Sequence, residues 1–148
     1  MTWIATPANG PHSSKPGTAD RADQVSAPVT PLRVLIVEDE FLIALELENR
    51  LVDAGFDVVG IAATAGEAIA TAGSERPDVA IMDIRLAGGR DGIDTAIELF
   101  AKFGIRSIFS SAHASDAETQ KRATPASPVG WLQKPYSAHA LIRLIKSI

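Results

Sequence analysis

The stretch Val34-Leu35-Ile36-Val37-Glu38-Asp39-Glu40 and its counterpart Val79-Ala80-Ile81-Met82-Asp83 decide the fold. Each is a short, continuous apolar run that ends in carboxylates. Consecutive apolar residues suit a strand covered on both faces, the condition of a parallel α/β sheet. In such a sheet the carboxyl ends of neighbouring strands open onto one crevice, so acids far apart in sequence can meet there. Clustered carboxylates repel one another and stay ionised at neutral pH only beside cations. A hard divalent ion answers that need, and Mg²⁺ prefers oxygen ligands. Lys134, in Trp131-Leu132-Gln133-Lys134-Pro135-Tyr136, follows the last strand-like segment and offers a fixed positive charge at the same edge.

Outward from these runs, strand candidates are Leu32–Val37, Val58–Ala62, Val79–Met82, Ile105–Phe109 and Val129–Leu132, alternating with helix-period segments. The first helix presents Ile43, Leu47, Leu51 and Ala54 on one stripe and stops at Gly55. The second opens with the capping-box spacing Thr64-Ala65-Gly66-Glu67 and the fourth with Ser115-Asp116-Ala117-Glu118. The third buries Ile93, Ala96, Ile97 and Phe100 and ends at Gly104. Pro125 and Pro128 keep the fourth short, and Ser137 caps a fifth that carries Leu141, Leu144, Ile145 and Ile148. Repeated βα units predict a five-stranded, doubly wound parallel sheet with helices on both faces, for which two strand orders are common.

Composition narrows the function classes. With 148 residues, 46% hydrophobic content and a net charge of -4, the chain reads as one soluble domain without the clustered Lys and Arg of a nucleic-acid surface. No stretch has the length of a membrane span and no secretory leader is evident, and the lack of cysteine fits a reducing cytoplasm. Residues 1–30 are rich in Pro, Ser, Thr, Ala and Gly with balanced charge, and read as a disordered arm in which Trp3 and Ile4 form at most a short docking element. The folded domain is expected over 31–148.

Four blocks taken together, Val34 to Glu40, Ile81-Met82-Asp83, Phe109-Ser110-Ser111-Ala112 and Gln133-Lys134-Pro135, resemble the signature blocks of response-regulator receiver domains from about Leu32 to Ile148. The resemblance implies the flavodoxin-like strand order 2-1-3-4-5. It also implies that Asp83 accepts a phosphoryl group from a sensor histidine kinase or a histidine phosphotransfer protein. Asp39 and Asp83 would ligate Mg²⁺ directly, Glu38 through water, and Arg85 through its backbone carbonyl. Ser111 matches the hydroxyl that turns to the phosphoryl oxygen, Lys134 its cationic partner in an expected cis Lys134-Pro135 unit, and Trp131 the rotating aromatic. Arg85 and His113 occupy positions that influence phosphoryl lifetime. His12 and His139 have no metal-site spacing.

The chain departs from the family in the loop after Asp83, Arg85-Leu86-Ala87-Gly88-Gly89-Arg90-Asp91-Gly92, which lacks the frequent proline, runs one residue longer and is expected to be mobile. A receiver ending at its fifth helix is expected to act through a downstream protein or as a phosphoryl shuttle or sink. The apolar face of that helix, Ile142 included, is a candidate contact for a partner or a second copy. The alternative is a receiver-fold binding module that signals without phosphorylation. An aspartate-nucleophile phosphohydrolase is disfavoured because Arg85 stands where such enzymes carry an acid/base aspartate.

Overall fold

The computed structural model describes residues 30–148, and the arm with Trp3 and Ile4 lies outside the described residues. Five strands, β1 (Arg33–Val37), β2 (Asp57–Ala62), β3 (Val79–Asp83), β4 (Arg106–Ser111) and β5 (Gly130–Gln133), form a parallel sheet in the order β2-β1-β3-β4-β5. Helices α1 (Phe41–Asp53), α2 (Ala65–Glu75), α3 (Gly92–Phe103), α4 (Ala117–Arg122) and α5 (Ala138–Lys146) connect and follow them, with a 3₁₀ turn at Thr124–Ala126. All five expected strands are present. None of these helices is long and apolar enough to cross a membrane.

Side-chain alternation along the strands splits the core into two layers. Leu35, Val37, Ala80, Met82 and Phe109 meet Ala68 and Ala72 of α2 and Ile93, Ala96 and Leu99 of α3 on one face. Val34, Ile36, Val79, Ile81 and Ile108 meet Ala44, Leu47 and Leu51 of α1 and Leu141 and Ile145 of α5 on the other. Each fully buried Leu, Ile or Val contributes roughly 1.5–3 kcal/mol of transfer free energy. The sheet is therefore held rigidly between layers, and its carboxyl edge is a firm platform.

The helix ends follow their local chemistry. Gly55, at φ +95°, closes α1: its N–H donates to Val52 O, and the Phe56 N–H reaches back to Leu51 O at 3.0 Å. Thr64 Oγ1 accepts from Glu67 N–H, and the Glu67 carboxylate returns to Ala63 N–H. Ser137 caps α5 through Ala140 N–H.

Three expectations are corrected. The buried stripe of α1 is Ala44, Leu47 and Leu51, with Ile43 and Ala54 exposed. In α3 Leu99 is fully buried, whereas Ile97 and Phe100 are half-buried. The cap of α4 is Asp116 rather than Ser115, because its carboxylate accepts from both the N–H and the O–H of Thr119.

Candidate functional site

Strand register brings the acids together. Val37 pairs with Met82, so Glu38 and Asp83 leave the sheet at the same level. Carboxylate oxygens of Glu38, Asp39 and Asp83 lie within 4.8 Å of one another. Glu38 and Asp83 are buried, 5% and 7% exposed, while Asp39 faces solvent. Ser111 pairs with Gln133 at the end of the β4–β5 ladder, which delivers Lys134 to the same edge. Its Nζ lies 3.2 Å from Asp83 Oδ1 and 3.8 Å from Glu38 Oε1, and Lys134-Pro135 is cis.

Backbone donors complete the pocket. Glu40 N–H donates to Glu38 Oε2 at 3.1 Å, and Arg85 N–H to Asp83 Oδ1 at 3.3 Å. Burial pushes the Glu38 carboxyl up to about 7, and the Asp83 charge adds to the rise, against the opposing pull of the Glu40 N–H and Lys134. One ammonium therefore does not offset this cluster. A donor set of carboxylates alone, crowded and partly open, fits a hard divalent cation such as Mg²⁺.

Gly92 sets the depth of the nucleophile candidate. A Cβ there would lie 2.0 Å from the Asp83 carbonyl oxygen, so only glycine lets the first turn of α3 approach it. The preceding loop is anchored by Gly92 N–H to Ile84 O at 2.7 Å and by an isolated bridge between Thr64 and Ala87. The Arg122 guanidinium binds the carboxylates of Asp91 and Asp94, tying α4 to the start of α3.

Of the remaining sequence-predicted residues, Ser111, His113 and Trp131 belong to β4, the loop after it and β5, while Arg85 lies in the loop after β3. The Ser111 hydroxyl accepts from His113 N–H at 2.9 Å, inside its own loop, and Ser111 O accepts from Lys134 N–H at 2.9 Å. Trp131 stacks on Phe109, with ring centroids 4.7 Å apart and planes at 23°. Arg85 and His113 are exposed at the rim.

Sequence reasoning missed three residues beside the site. Ser110 pairs with Asp83 across the sheet and is buried. Tyr136 is half-buried, its phenol pushed up by burial and then by the Glu38 charge, with Ser110 opposing, so it stays a neutral hydroxyl. Gln133 reaches from β5 into the loop after Ser111. A polar residue at the end of an otherwise apolar strand was the available signal for Ser110 and Gln133. The exposed large apolar side chains also sit elsewhere than expected. Ile142 is half-buried and Ile148, expected on the buried stripe of the fifth helix, lies exposed beyond the end of α5, whereas Phe41, Leu42, Ile43, Leu45 and Val52 of α1 are exposed, and a cleft of about 660 Å³ runs between Ile43, Leu47, Arg50 and the Lys134 to Ala138 segment.

A family model described as the response regulator receiver domain matches residues 34–146. The chain belongs to this family. Receiver domains serve two-component signalling, and the family is one of signalling domains rather than of catalysts. This receiver is 39% identical over 116 residues to the transcriptional regulatory protein PdtaR of Mycobacterium tuberculosis, covering 78% of this chain and 56% of that protein. It is 35% identical over 124 residues to the phyllosphere-induced regulator PhyR of Methylorubrum extorquens, covering 83% and 46%. The chain thus spans about half the length of these curated relatives. Among solved structures, the signal receiver domain of a modulated diguanylate cyclase from Desulfovibrio desulfuricans G20 is similar at 40% identity and a TM-score of 0.73, over 80% of this chain and 93% of that one.

Proposed function

We propose that this receiver accepts a phosphoryl group on Asp83 from a sensor histidine kinase or a histidine phosphotransfer protein in the cytoplasm, and passes the signal on through contacts with a downstream protein. The observation that carries the reading is the buried Glu38–Asp83 pair with exposed Asp39 and a single lysine 3.2 Å from Asp83. Asp39, Asp83 and the Arg85 backbone carbonyl would hold Mg²⁺, with Glu38 acting through a water. Bound there, Mg²⁺ supplies positive charge to the phosphoryl oxygens.

The chain's own groups do the rest. A carboxylate oxygen of Asp83 attacks phosphorus in line, the bond from phosphorus to the donor imidazole nitrogen breaks, and that nitrogen leaves with the electron pair. Lys134 then faces a developing equatorial oxygen, and the Ser111 hydroxyl turns from the His113 amide to another. The added charge at Asp83 biases the β4–α4 loop and the neighbouring Trp131, a two-state switch. Arg85 and His113, at the rim, govern the access of water and hence the lifetime of the acyl phosphate. The cleft beside Lys134, with the exposed apolar side chains of α1, suits docking of the phosphodonor. A homodimer remains a second use for exposed apolar surface.

The test is incubation with Mg²⁺ and a small acyl phosphate, followed by intact mass. The wild type should gain one phosphoryl group and Asp83→Asn none. In a Trp3→Phe background, which leaves Trp131 as the sole tryptophan, emission excited selectively at the indole should change with the adduct. An adduct on Asp83→Asn, or none on the wild type with either small donor or kinase, sinks the reading.

A further inference from the structure

Gln133 closes β5 opposite Ser111, at the last rung of the β4–β5 ladder. Its backbone position is that of an ordinary edge residue, but its side chain is spent on the loop that follows Ser111. Oε1 accepts from Ala114 N–H at 2.9 Å, and Nε2 donates to the Ala112 carbonyl. A primary carboxamide carries the same donor and acceptor as a peptide group. Gln133 therefore continues the ladder one step past the strands, with a side chain in place of a backbone.

The rest of the loop is held as completely. Gln120 of α4 donates through Nε2 to the Ala114 carbonyl at 2.6 Å, His113 N–H donates to Ser111 Oγ, and His113 O accepts from Asp116 N–H at 3.1 Å. Each polar backbone group from Ala112 O to Ala114 O thus has a partner within the protein, and Ala114 is buried. Such a loop gains little by moving, since movement breaks hydrogen bonds that water replaces at best evenly. Ser111 is bonded covalently to Ala112, so a shift of Ser111 toward Asp83 pulls first on the carbonyl that Gln133 holds.

We propose that Gln133 is a positioning residue that latches this loop in the resting state and so opposes the movement of Ser111 that a phosphoryl group on Asp83 requires. The proposal rests on the reading of Asp83 as phosphoacceptor. A latch of this kind lowers the fraction of molecules competent to engage the phosphoryl group, and the apparent affinity falls by that fraction. Releasing it strengthens the response instead of damaging it. Two partly exposed hydrogen bonds correspond to about tenfold, or about 1.4 kcal/mol.

The experiment titrates the Mg²⁺-loaded full chain with beryllofluoride, a phosphoryl mimic, and follows the bound ion by fluorine NMR in wild type, Gln133→Ala and Gln133→Glu. Amide hydrogen exchange of residues 112–114 is measured without the ion. Gln133→Ala should bind about tenfold more tightly and expose the Ala114 amide to faster exchange. Gln133→Glu keeps the acceptor for Ala114 N–H and loses the donor to Ala112 O, so it should fall between. A residue with a merely structural role would lower the melting temperature and weaken binding, never tighten it. Equal or weaker binding by Gln133→Ala, or unchanged exchange at Ala114, overturns the latch. A wild type that binds no beryllofluoride overturns the phosphoacceptor reading, and the latch with it.

Discussion

β1 carries a three-acid cluster at each end, and only one of them is proposed as a site. At its amino end Arg33 is surrounded by Asp57, Glu75 and Asp78: the guanidinium lies 3.5 Å from Asp57 and 3.9 Å from Glu75, and the Arg33 N–H donates to Asp78 at 2.8 Å. At its carboxyl end Lys134 pairs with Glu38 and Asp83, and Asp39 completes the carboxylate cluster. Charge counts are alike, but Asp57 and Glu75 are 54% and 44% exposed, whereas Glu38 and Asp83 are buried. Water screens the first cluster into ordinary surface electrostatics. Burial leaves the second short of positive charge, and that shortage is what a cation and a phosphoryl group can use.

Replacing the single cation at each end separates the two roles. Lys134→Ala should slow phosphorylation by a small acyl phosphate about 100-fold, because a preorganised charge at the reacting oxygens is lost. Arg33→Ala should leave that rate unchanged and lower unfolding stability by about 1 kcal/mol, read by denaturant titration. A rate loss in Arg33→Ala would erase the distinction.

Acid dependence probes the same contrast. The Glu38 carboxyl sits at about 7 in the folded protein against 4.5 for an ordinary glutamate, so between these values the folded state holds a proton that the unfolded chain has released. Metal-free stability should therefore fall as pH rises from about 4.5 to about 7, by on the order of 3 kcal/mol. Glu38→Gln should flatten the profile, and Mg²⁺ should restore stability at pH 8. A flat wild-type profile in melting experiments would remove the burial argument.

Ser107, on β4 far from the carboxyl edge, gives the smallest effect. Its hydroxyl is fully buried without a hydrogen-bond partner. Ser107→Ala should raise stability by about 0.5–1 kcal/mol with phosphorylation unaltered, since it removes an unmet polar group.

The sheet and the acids could be read directly because β1 and β3 are apolar on consecutive residues and each run stops at carboxylates. Strand termini in a parallel sheet share an edge whatever the helices do. The buried face of α1 was harder to read: Phe41, Leu42, Ile43, Leu45 and Leu47 are apolar nearly all round, so period alone does not choose between Ile43 and Ala44. Ser115 and Asp116 are both able caps, and the two hydrogen bonds from Thr119 to the Asp116 carboxylate distinguish them. The contacts of Gln133 and Tyr136 depend on where a loop from another strand returns, which no local pattern carries.

The approach of α3 to the Asp83 carbonyl reaches into what substitutions the chain can accept. Gly66, in the first turn of α2, has open space around it, and its neighbours would not notice an added methyl. Gly92, the first residue of α3, has no such freedom. The address of the proposed nucleophile is thus written twice, once as a carboxylate and once as a missing side chain further along. Any lineage that retunes the pocket by drift or by design must do so around a position that cannot vary.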